Sequence, residues 1–350
     1  MNKKLLGIIA MLMVVALALT ACGGSSAPAS SAAPAASSEA PASSAAPAPA
    51  PAPSAPAAGS VSMVMGTGGT TGTYYAYGGV LANILNGKMS TAQINVQSTG
   101  ASKANIFLID DKEADLAIVQ NDVMDYAFNG SDLFAEDGAV TSFSSVAGLY
   151  AEVCQIVASG DIKSIADLKG KRVSVGDAGS GVEFNARQIL EAYDISFDDI
   201  EVNNLGFGDS ADAIKDGKID AFFCTAGAPT TAIVELATTK AINLLEVDDE
   251  HAAKLIESYP FYTKYSIPGG SYGGVDADVQ TVAVKATLIV SNDASEDAIY
   301  ELTKAIFENK DAITESHAKG AELDTAYAVE GISVPFHPGA EKYFKEVGAL

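Results

Sequence analysis

The sequence of 350 residues predicts an α/β fold in which two lobes enclose a ligand cleft. Stretches with strand-like and helix-like periodicity alternate along most of the chain. A glycine-rich turn between a strand and a helix occurs at residues 65–79 ("MGTGGTTGTYYAYGG") and again at residues 175–190 ("VGDAGSGVEFNARQIL"). The elements that follow the two turns come in the same order, which indicates two lobes of related plan.

The first half of the globular part reads strand, helix, strand, helix, strand. A short apolar strand at 60–66 precedes the first turn, an alternating strand lies at 92–100, and a short helix covers 101–111. The run at 114–120 ("ADLAIVQ") is continuously apolar, as expected for a strand buried on both faces of a parallel sheet. The first helix carries apolar side chains at helical spacing, namely Tyr74, Tyr77, Leu81, Ile84 and Leu85.

The second half repeats this order. A strand at 171–175 leads into the second turn, residues 199–206 correspond to 92–100, and residues 209–227 correspond to 101–122. In both halves a short helix ends near charged residues and is followed by a buried strand. The helix after the second turn has an apolar stripe formed by Val182, Ala186, Ile189, Leu190 and Tyr193.

The N-terminus predicts export and anchoring. Lys3 and Lys4 precede fifteen uncharged residues, fewer than the about 20 of a membrane span, so residues 1–21 are predicted to be a lipoprotein signal peptide. Cys22 follows a small residue and is the predicted lipidation site, with a plain secretory signal as the alternative. Residues 22–60 consist almost entirely of Ala, Pro and Ser and are predicted to be a disordered tether. We expect an extracytoplasmic protein that is lipid-anchored to the cell membrane.

The charge excludes nucleic acid as a partner. Loss of the signal removes two lysines and no acid, so the net charge moves from −23 to −25, and such a surface repels nucleic acid and anionic lipid. The three histidines are scattered, and Cys154 and Cys224 lie in apolar runs without metal-ligand spacing. No metal, cofactor or catalytic residue is therefore expected, while one disulfide or two buried thiols both remain open.

The two turns predict a site for an anion. Ligands of open α/β sheets bind outside the carboxyl ends of the strands. A glycine-rich turn at that edge lets the backbone approach a small molecule, and the helix behind it directs free N–H groups and its positive end to the same place. Since Arg occurs only at Arg172 and Arg187, two opposed turns are the predicted means of holding a small carboxylate.

In the first lobe the predicted ligand-binding residues follow two strands. Asp122 either accepts an ammonium group or caps a helix, and Tyr74 either contacts the ligand or packs on the stripe that contains Tyr77. The predicted residues of this lobe are Gly68, Gly69, Thr70, Thr73, Tyr74, Gln120, Asn121 and Asp122.

In the second lobe the predicted residues lie at the corresponding places. Glu183 and Arg187, four residues apart, are interpreted as a surface ion pair in preference to a role for Arg187 at a ligand carboxylate. Pro229 is predicted near the first position of the helix that follows. The ligand-binding residues predicted here are Ser180, Gly181, Asn185, Thr225, Ala226 and Gly227.

Several motifs in order resemble a known family. They include "MGTGGTTGTYYAYGGVLANILN", "STGAS", "ADLAIVQNDV", "IADLKGKRVSVGDAGSGVEFNARQIL" and "FCTAGAPTTAI", and the resemblance covers nearly all of the chain after the tether. The sequence is similar to the TAXI solute-binding proteins of tripartite ATP-independent periplasmic (TRAP) transporters. The resemblance implies a two-lobe periplasmic-binding-protein-like (type II) fold, L-glutamate or a related amino acid or dicarboxylate as ligand, and integral membrane TRAP subunits as partners.

The order of elements also predicts the connection between the lobes. A long strand near residues 145–159 leaves lobe 1, and another near 279–291 returns to it. Lobe 1 is therefore predicted to comprise residues 61–148 plus 280–350, and lobe 2 residues 149–279. Two connecting strands form a hinge, so ligand binding would close the lobes and the transporter would recognise the closed form.

Other functions remain as alternatives. A substrate-binding lipoprotein of an ATP-driven transporter and a chemosensory receptor fit the same features, because only the family resemblance indicates the ion-driven kind. An enzyme on the same fold would need a nucleophile, a base or a metal set, and the predicted cleft offers glycines, hydroxyls and amides instead.

Overall fold

The computed structural model describes residues 60–350. The predicted signal peptide, the predicted lipidation site Cys22 and the predicted tether, apart from its last residue, lie outside the described residues. Within the described part, alternating strands and helices form one large sheet with helices on both of its faces.

Ten strands belong to the sheet in residues 60–350. They are β1 (Val61–Gly66), β2 (Ala92–Gln97), β3 (Leu116–Gln120), β4 (Phe143–Ala158), β5 (Arg172–Ser174), β6 (Glu201–Asn203), β7 (Ala221–Ala226), β8 (Asn243–Leu244), β9 (Thr263–Ile267) and β10 (Val279–Ser291).

Eleven α-helices lie in the same part of the chain. They are α1 (Thr73–Leu85), α2 (Ser102–Asp110), α3 (Asn121–Asn129), α4 (Gly181–Ala192), α5 (Phe207–Lys215), α6 (Thr231–Thr239), α7 (Asp249–Ser258), α8 (Glu296–Glu308), α9 (Lys310–Ser316), α10 (Thr325–Val329) and α11 (Pro338–Glu346).

The sheet has the order β2-β1-β3-β10-β4-β7-β5-β6, with β8 paired to β4 and β9 paired to β10. On one side β2, β1 and β3 are parallel and β10 joins them antiparallel. On the other side β6, β5 and β7 are parallel and β4 joins them antiparallel. The two halves thus repeat one plan, and the predicted two-lobe α/β fold is confirmed.

Two long strands run through both lobes. β4 has 16 residues and β10 has 13, and they pair antiparallel with register shifts between Ala286 and Thr287 and between Leu288 and Ile289. The predicted lobe boundary at 148/149 falls inside β4, and the boundary at 279/280 falls at the start of β10. The boundaries themselves remain a prediction.

The described elements agree with the predicted order of strands and helices, with one shift. α6 begins at Thr231, so Pro229 precedes the helix by two residues and does not occupy its first turn. The Ala228–Pro229 peptide is cis, and Thr230 stands at the N-cap. The C-terminal helices α8 and α11 pack on lobe 1 through Ile299, Leu302 and Phe344.

Each lobe has a core on both faces of the sheet. The side chains of Cys154 and Cys224 lie in separate hydrophobic clusters of lobe 2, although they occupy the neighbouring strands β4 and β7. Alternate residues of a strand point to opposite faces, which is why the two thiols cannot meet. Both cysteines are free and buried. Of the two possibilities left open by the sequence, a disulfide or two buried thiols, the structure therefore shows two buried thiols.

Candidate functional site

A buried cavity lies between the lobes, where the loop before α1 faces the loop before α4. Its volume is about 60 Å³. One water needs roughly 10–15 Å³ on this measure, so the cavity accommodates only a few water-sized groups. The site is therefore limited to a small molecule.

Close packing fixes the loop between β1 and α1. The Nδ2 atom of Asn105 donates to the carbonyl oxygens of Thr67, at 2.7 Å, and of Ile118, at 2.9 Å. A Cβ at Gly66 would lie 2.7 Å from Oδ1 of Asn105, and one at Gly78 would lie 2.8 Å from Cγ2 of Thr67. These two glycines serve the approach of loop, helix and sheet, whereas a Cβ at Gly69 would meet no described atom within 4 Å.

The N-terminus of α1 lies at the cavity wall. Gly72 is its N-cap residue, no side chain of the described part caps it, and its first turn contains no acidic residue. Gly72, Thr73 and Tyr74 all line the cavity. Because the first N–H groups of a helix have no acceptor within the helix, this end can receive an anion.

The loop before α4 differs from the loop before α1 in how its backbone N–H groups are bound. Gly176 has φ +94° and Gly179 has φ +74°, conformations that glycine adopts without strain. Ser180 caps α4 by accepting a hydrogen bond from the N–H of Glu183. The Glu183 carboxylate in turn accepts from the N–H of Gly179 at 2.6 Å. The second loop therefore already has an acid of this chain bound to its backbone.

The structure brings eight of the fourteen predicted site residues to the cavity. Lobe 1 contributes Gly68, Gly69, Thr73, Tyr74 and Gln120, and the second half of the site contributes Ser180, Thr225 and Ala226. They come from the ends of β1, β3 and β7 and from the starts of α1 and α4. This is the carboxyl edge of the strands on which the sequence argument depended.

Three predicted residues instead form a buried contact between the lobes. Nε2 of Gln120 donates to Oδ1 of Asn185 at 2.7 Å, and Nδ2 of Asn185 donates to Oδ2 of Asp122 at 3.1 Å and to the Tyr262 hydroxyl at 2.8 Å. A Cβ at Gly181 would lie 2.1 Å from Oε1 of Gln120. Gly181, Asn185 and Asp122 are thus placed where lobes touch, beside the cavity and not in its wall.

The remaining predicted residues have other surroundings. Thr70 is exposed, and Oδ1 of Asn121 accepts a hydrogen bond from the N–H of Lys285 on β10 at 2.8 Å. The carbonyl of Gly227 accepts from Oγ1 of Thr73. None of the three lines this cavity within the described residues.

Arg187 is also outside the cavity wall. Its guanidinium carbon lies 4.1 Å from the ring centroid of Phe197. No ion pair with Glu183 is present among residues 60–350, because the Glu183 carboxylate binds the backbone of Gly179. The predicted surface pair is therefore replaced by a cation–π contact.

Sequence reasoning missed the two charged residues of the wall, Glu152 and Asp177. Glu152 is the one charged residue of strand β4, and that isolated charge was the available signal. Asp177 lies in the second glycine-rich loop, and its sequence surroundings alone assign no role to its carboxyl group. Gly72, Ala101, Val182, Gly206 and Phe207 complete the wall.

The electrostatics of the wall are acidic. Glu152 is only 1% exposed, and burial raises its pKa to about 8. Burial, and then the charge of Asp209, raise the pKa of Asp177. No Lys, Arg or His is among the lining residues in the described part. Asp122 is buried next to the cavity, and burial raises its pKa to about 6.

The hydroxyl of Thr73 links the lobes by donating to the carbonyl oxygen of Gly227 at 3.0 Å. We expect Thr73→Val to weaken the closed form by about 1 kcal/mol, close to a fivefold change in the ratio of closed to open molecules. Energy transfer between dyes on Lys88→Cys and Lys218→Cys, both exposed positions, measures that ratio in a Cys22→Ser background, since Cys154 and Cys224 are buried.

A matched control for this prediction is Thr303→Val. Thr303 is fully buried, and its hydroxyl donates to the carbonyl of Ile299 within α8. An equal change in energy transfer for both variants would show that the Thr73 bond has no part in closure.

Neither a metal cluster nor a membrane span is found in the described residues. No group of three or more His, Cys, Asp or Glu in residues 60–350 has a metal-binding arrangement. In the same range, every helix is too short or too polar to cross a membrane.

A two-lobe α/β fold with a cavity at the carboxyl edge of its strands defines the class of periplasmic-binding-protein-like folds. The chain belongs to the NMT1-like family, whose model matches residues 65–348.

Solved structures share the fold at low sequence identity. PhnD1 from Prochlorococcus marinus, in complex with methylphosphonate, matches with TM-score 0.52 and 10% identity over 83% of this chain and 99% of that chain. A protein of Bordetella bronchiseptica RB50 matches with TM-score 0.51 and 15% identity over 83% and 89%. The alkanesulfonate-binding protein SsuA from Xanthomonas axonopodis pv. citri, bound to MOPS, matches with TM-score 0.46 and 15% identity over 83% and 85%.

Proposed function

We propose that the protein is an extracytoplasmic solute-binding protein that captures a small carboxylate between its lobes and delivers it to a membrane transporter. The observation that carries the proposal is the uncapped N-terminus of α1 at the cavity wall. Free N–H groups and the positive end of the helix dipole stabilise a negative charge there. The corresponding end of α4 is engaged by Ser180 and Glu183, so one helix end, and not two, holds the anion.

The lobe contacts support capture by closure. Thr73 binds Gly227, and Gln120 binds Asn185, so both lobes contribute to the wall and to the contact beside it. A ligand that fills the cavity interacts with both lobes only when they are together. It therefore favours the closed form by its difference in affinity for the two forms.

The kind of transporter is a further part of the proposal. The case for a TRAP partner depended on the resemblance to TAXI proteins, whereas the family matched is described only as NMT1-like. We take an ATP-driven transporter as the first candidate partner, and a TRAP transporter as the second. Uptake in membrane vesicles separates them, because the first requires ATP and the second requires an ion gradient.

A binding protein fits the wall better than an enzyme does. The lining includes two carboxyl groups, hydroxyls and amides, and no His or Cys of the described residues lies in it. A chemosensory receptor would share the same pocket and the same closure, and would differ only in the membrane partner that recognises the closed form.

A thermal-shift screen of the purified protein tests capture. The panel contains L-glutamate, L-glutamine, 2-oxoglutarate, succinate and, because PhnD1 was solved with it, methylphosphonate. A ligand at a hundred times its dissociation constant is expected to stabilise the protein by about 2.7 kcal/mol. If no carboxylate of the panel raises the melting temperature, the proposal of carboxylate capture is wrong, even if methylphosphonate does.

A further inference from the structure

No feature of the fold explains why the carboxyl group of Glu152 is buried. It lies on β4, is 1% exposed and lines the cavity. Its Oε1 atom has no hydrogen-bond partner among residues 60–350. A buried carboxyl oxygen without a partner is costly, and its persistence at a cavity wall points to a donor that arrives with the ligand.

Two tyrosines surround the same place. The hydroxyls of Tyr74 and Tyr150 lie close enough to the Glu152 carboxyl to lower its pKa, but both are buried and neither forms a hydrogen bond of normal geometry in the described part of the chain. Tyr74 is the second residue of α1 and lines the cavity. The wall of one small cavity therefore contains a group that can accept hydrogen bonds, the Glu152 carboxyl, and groups that can donate them, the free N–H groups at the start of α1.

We propose that Glu152 accepts the ammonium group of the cargo while the N-terminus of α1 receives its carboxylate, so that the site selects small amino acids over the corresponding oxo acids and dicarboxylates. This inference rests on the proposed function and names the ligand class of the same site.

The charges around Glu152 favour a cationic group. Asp177 lines the same cavity, and the Asp122 carboxyl adds to the effect of burial in raising the pKa of Glu152. The nearby cation is Lys319, whose ammonium lowers that pKa, but its Nζ is bound to Oε1 of Glu322 at 2.6 Å. A dicarboxylate without an amino group would bring a second negative charge close to Asp177 and Asp122, whereas an amino acid also brings a compensating positive charge.

The groups that face Glu152 come from four elements. They are the hydroxyl of Tyr74 on α1, the hydroxyl of Tyr150 on β4, the carboxyl of Asp122 on α3 and the ammonium of Lys319 in the 3₁₀ turn Ala318–Glu322. Burial raises the pKa of Glu152 to about 8, so its carboxyl is mostly protonated at pH 7. Accepting an ammonium group requires the carboxylate, and the displaced proton leaves to solvent.

Isothermal titration calorimetry of the full-length protein tests the inference with matched pairs, L-glutamate against 2-oxoglutarate and L-alanine against pyruvate. The wild type is expected to prefer the amino acid of a pair by at least about 100-fold, which corresponds to about 2.8 kcal/mol. Titrations at pH 7 in two buffers of different ionisation enthalpy are expected to show release of close to one proton per amino acid bound. Affinity for the amino acid should rise from pH 6 to pH 8.

Glu152→Gln keeps the shape of the side chain and removes its charge. We expect this variant to bind the amino acid about 10- to 100-fold more weakly, to bind the oxo acid no more weakly, and to release no proton. Glu152→Asp keeps the charge and should retain the proton release at reduced affinity, which separates loss of charge from loss of fold. Exposed Glu113→Gln is the matched control and should behave as the wild type.

Three results overturn the inference. If the wild type binds the oxo acids as tightly as the amino acids, or releases no proton with the amino acids, Glu152 does not receive an ammonium group, while capture of a carboxylate stands. If none of the four compounds binds and the wider panel of acids also fails, the inference and the proposed function fall together.

Discussion

Gly181→Val is expected to lower ligand affinity at least about 100-fold, or about 2.8 kcal/mol, while both lobes remain folded. Gly181 is the first residue of α4, and it packs on Gln120 of the other lobe. A Cβ there would lie 2.1 Å from Oε1 of Gln120 and 3.0 Å from Cγ2 of Val123. Since both neighbours belong to lobe 1, separating the lobes relieves the clash without disturbing either core.

The structure also identifies what the clash would break. Gln120 donates to Asn185, and Asn185 donates to Asp122 and Tyr262. A valine at position 181 prevents this buried set of hydrogen bonds from forming across the lobes. The population of the open form then increases relative to that of the closed form, and the ligand must use part of its binding energy to restore closure.

Calorimetry with the best ligand of the thermal-shift panel measures the loss of affinity, and X-ray scattering in solution measures the opening. Gly79→Val is the matched control, because Gly79 is exposed and a Cβ there would meet no described atom within 4 Å. Wild-type affinity in Gly181→Val, or an equal loss in both variants, would contradict the interpretation of this contact.

Glu152→Gln is expected to stabilise the protein in the absence of ligand at pH 8 and above. The pKa of Glu152 is about 8 in the folded state against a reference value of 4.5. The folded state therefore binds more protons than the unfolded state between these values, and the free energy of unfolding of the wild type falls as the pH rises through that window. The full shift corresponds to at most about 5 kcal/mol. A glutamine is neutral throughout and avoids this loss.

Denaturant unfolding of both proteins from pH 4 to pH 9 checks this prediction. Asp122, whose pKa burial raises to about 6, lowers the stability of both proteins between its reference value and pH 6, so the difference between the two curves isolates Glu152. The difference should be small near pH 4 and should grow up to pH 8. A constant difference across this range would mean that Glu152 is not held in its neutral form by the fold.

Hydrophobic periodicity was sufficient to predict the strands and helices. The repeated order of these elements along the chain predicted two lobes of related plan. The continuous apolar run of β3 and the helical spacing of Tyr74, Tyr77 and Leu81 gave the elements of lobe 1. The repeated order then gave the second lobe, and the long apolar runs of β4 and β10 gave the connecting strands. The start of α6 was misjudged because a proline was assigned to the helix when it precedes its N-cap.

The site was predicted in part, for a physical reason. Backbone groups at strand ends are positioned by the fold class alone, so Gly68, Thr73, Ser180 and Thr225 were found. Which side of β4 faces the cavity depends on how the two lobes pair, and the sequence does not contain that register in any local pattern. The sequence therefore shows Glu152 as an isolated charge in a strand but does not indicate that it faces the cavity. The polar contacts of Asp122 and Asn185 depend on the same long-range arrangement.

The strands β4 and β10 have a consequence for how the molecule melts. Each contributes hydrogen bonds to both halves of one sheet, so loss of either half would leave long stretches of unpaired strand edge in the other. Neither half can then survive as an autonomous folding unit, and heat should dismantle the whole globule in a single cooperative step. A recombinant fragment that contains one half alone would expose strand edges with unpaired backbone N–H and C=O groups, and we expect it to aggregate.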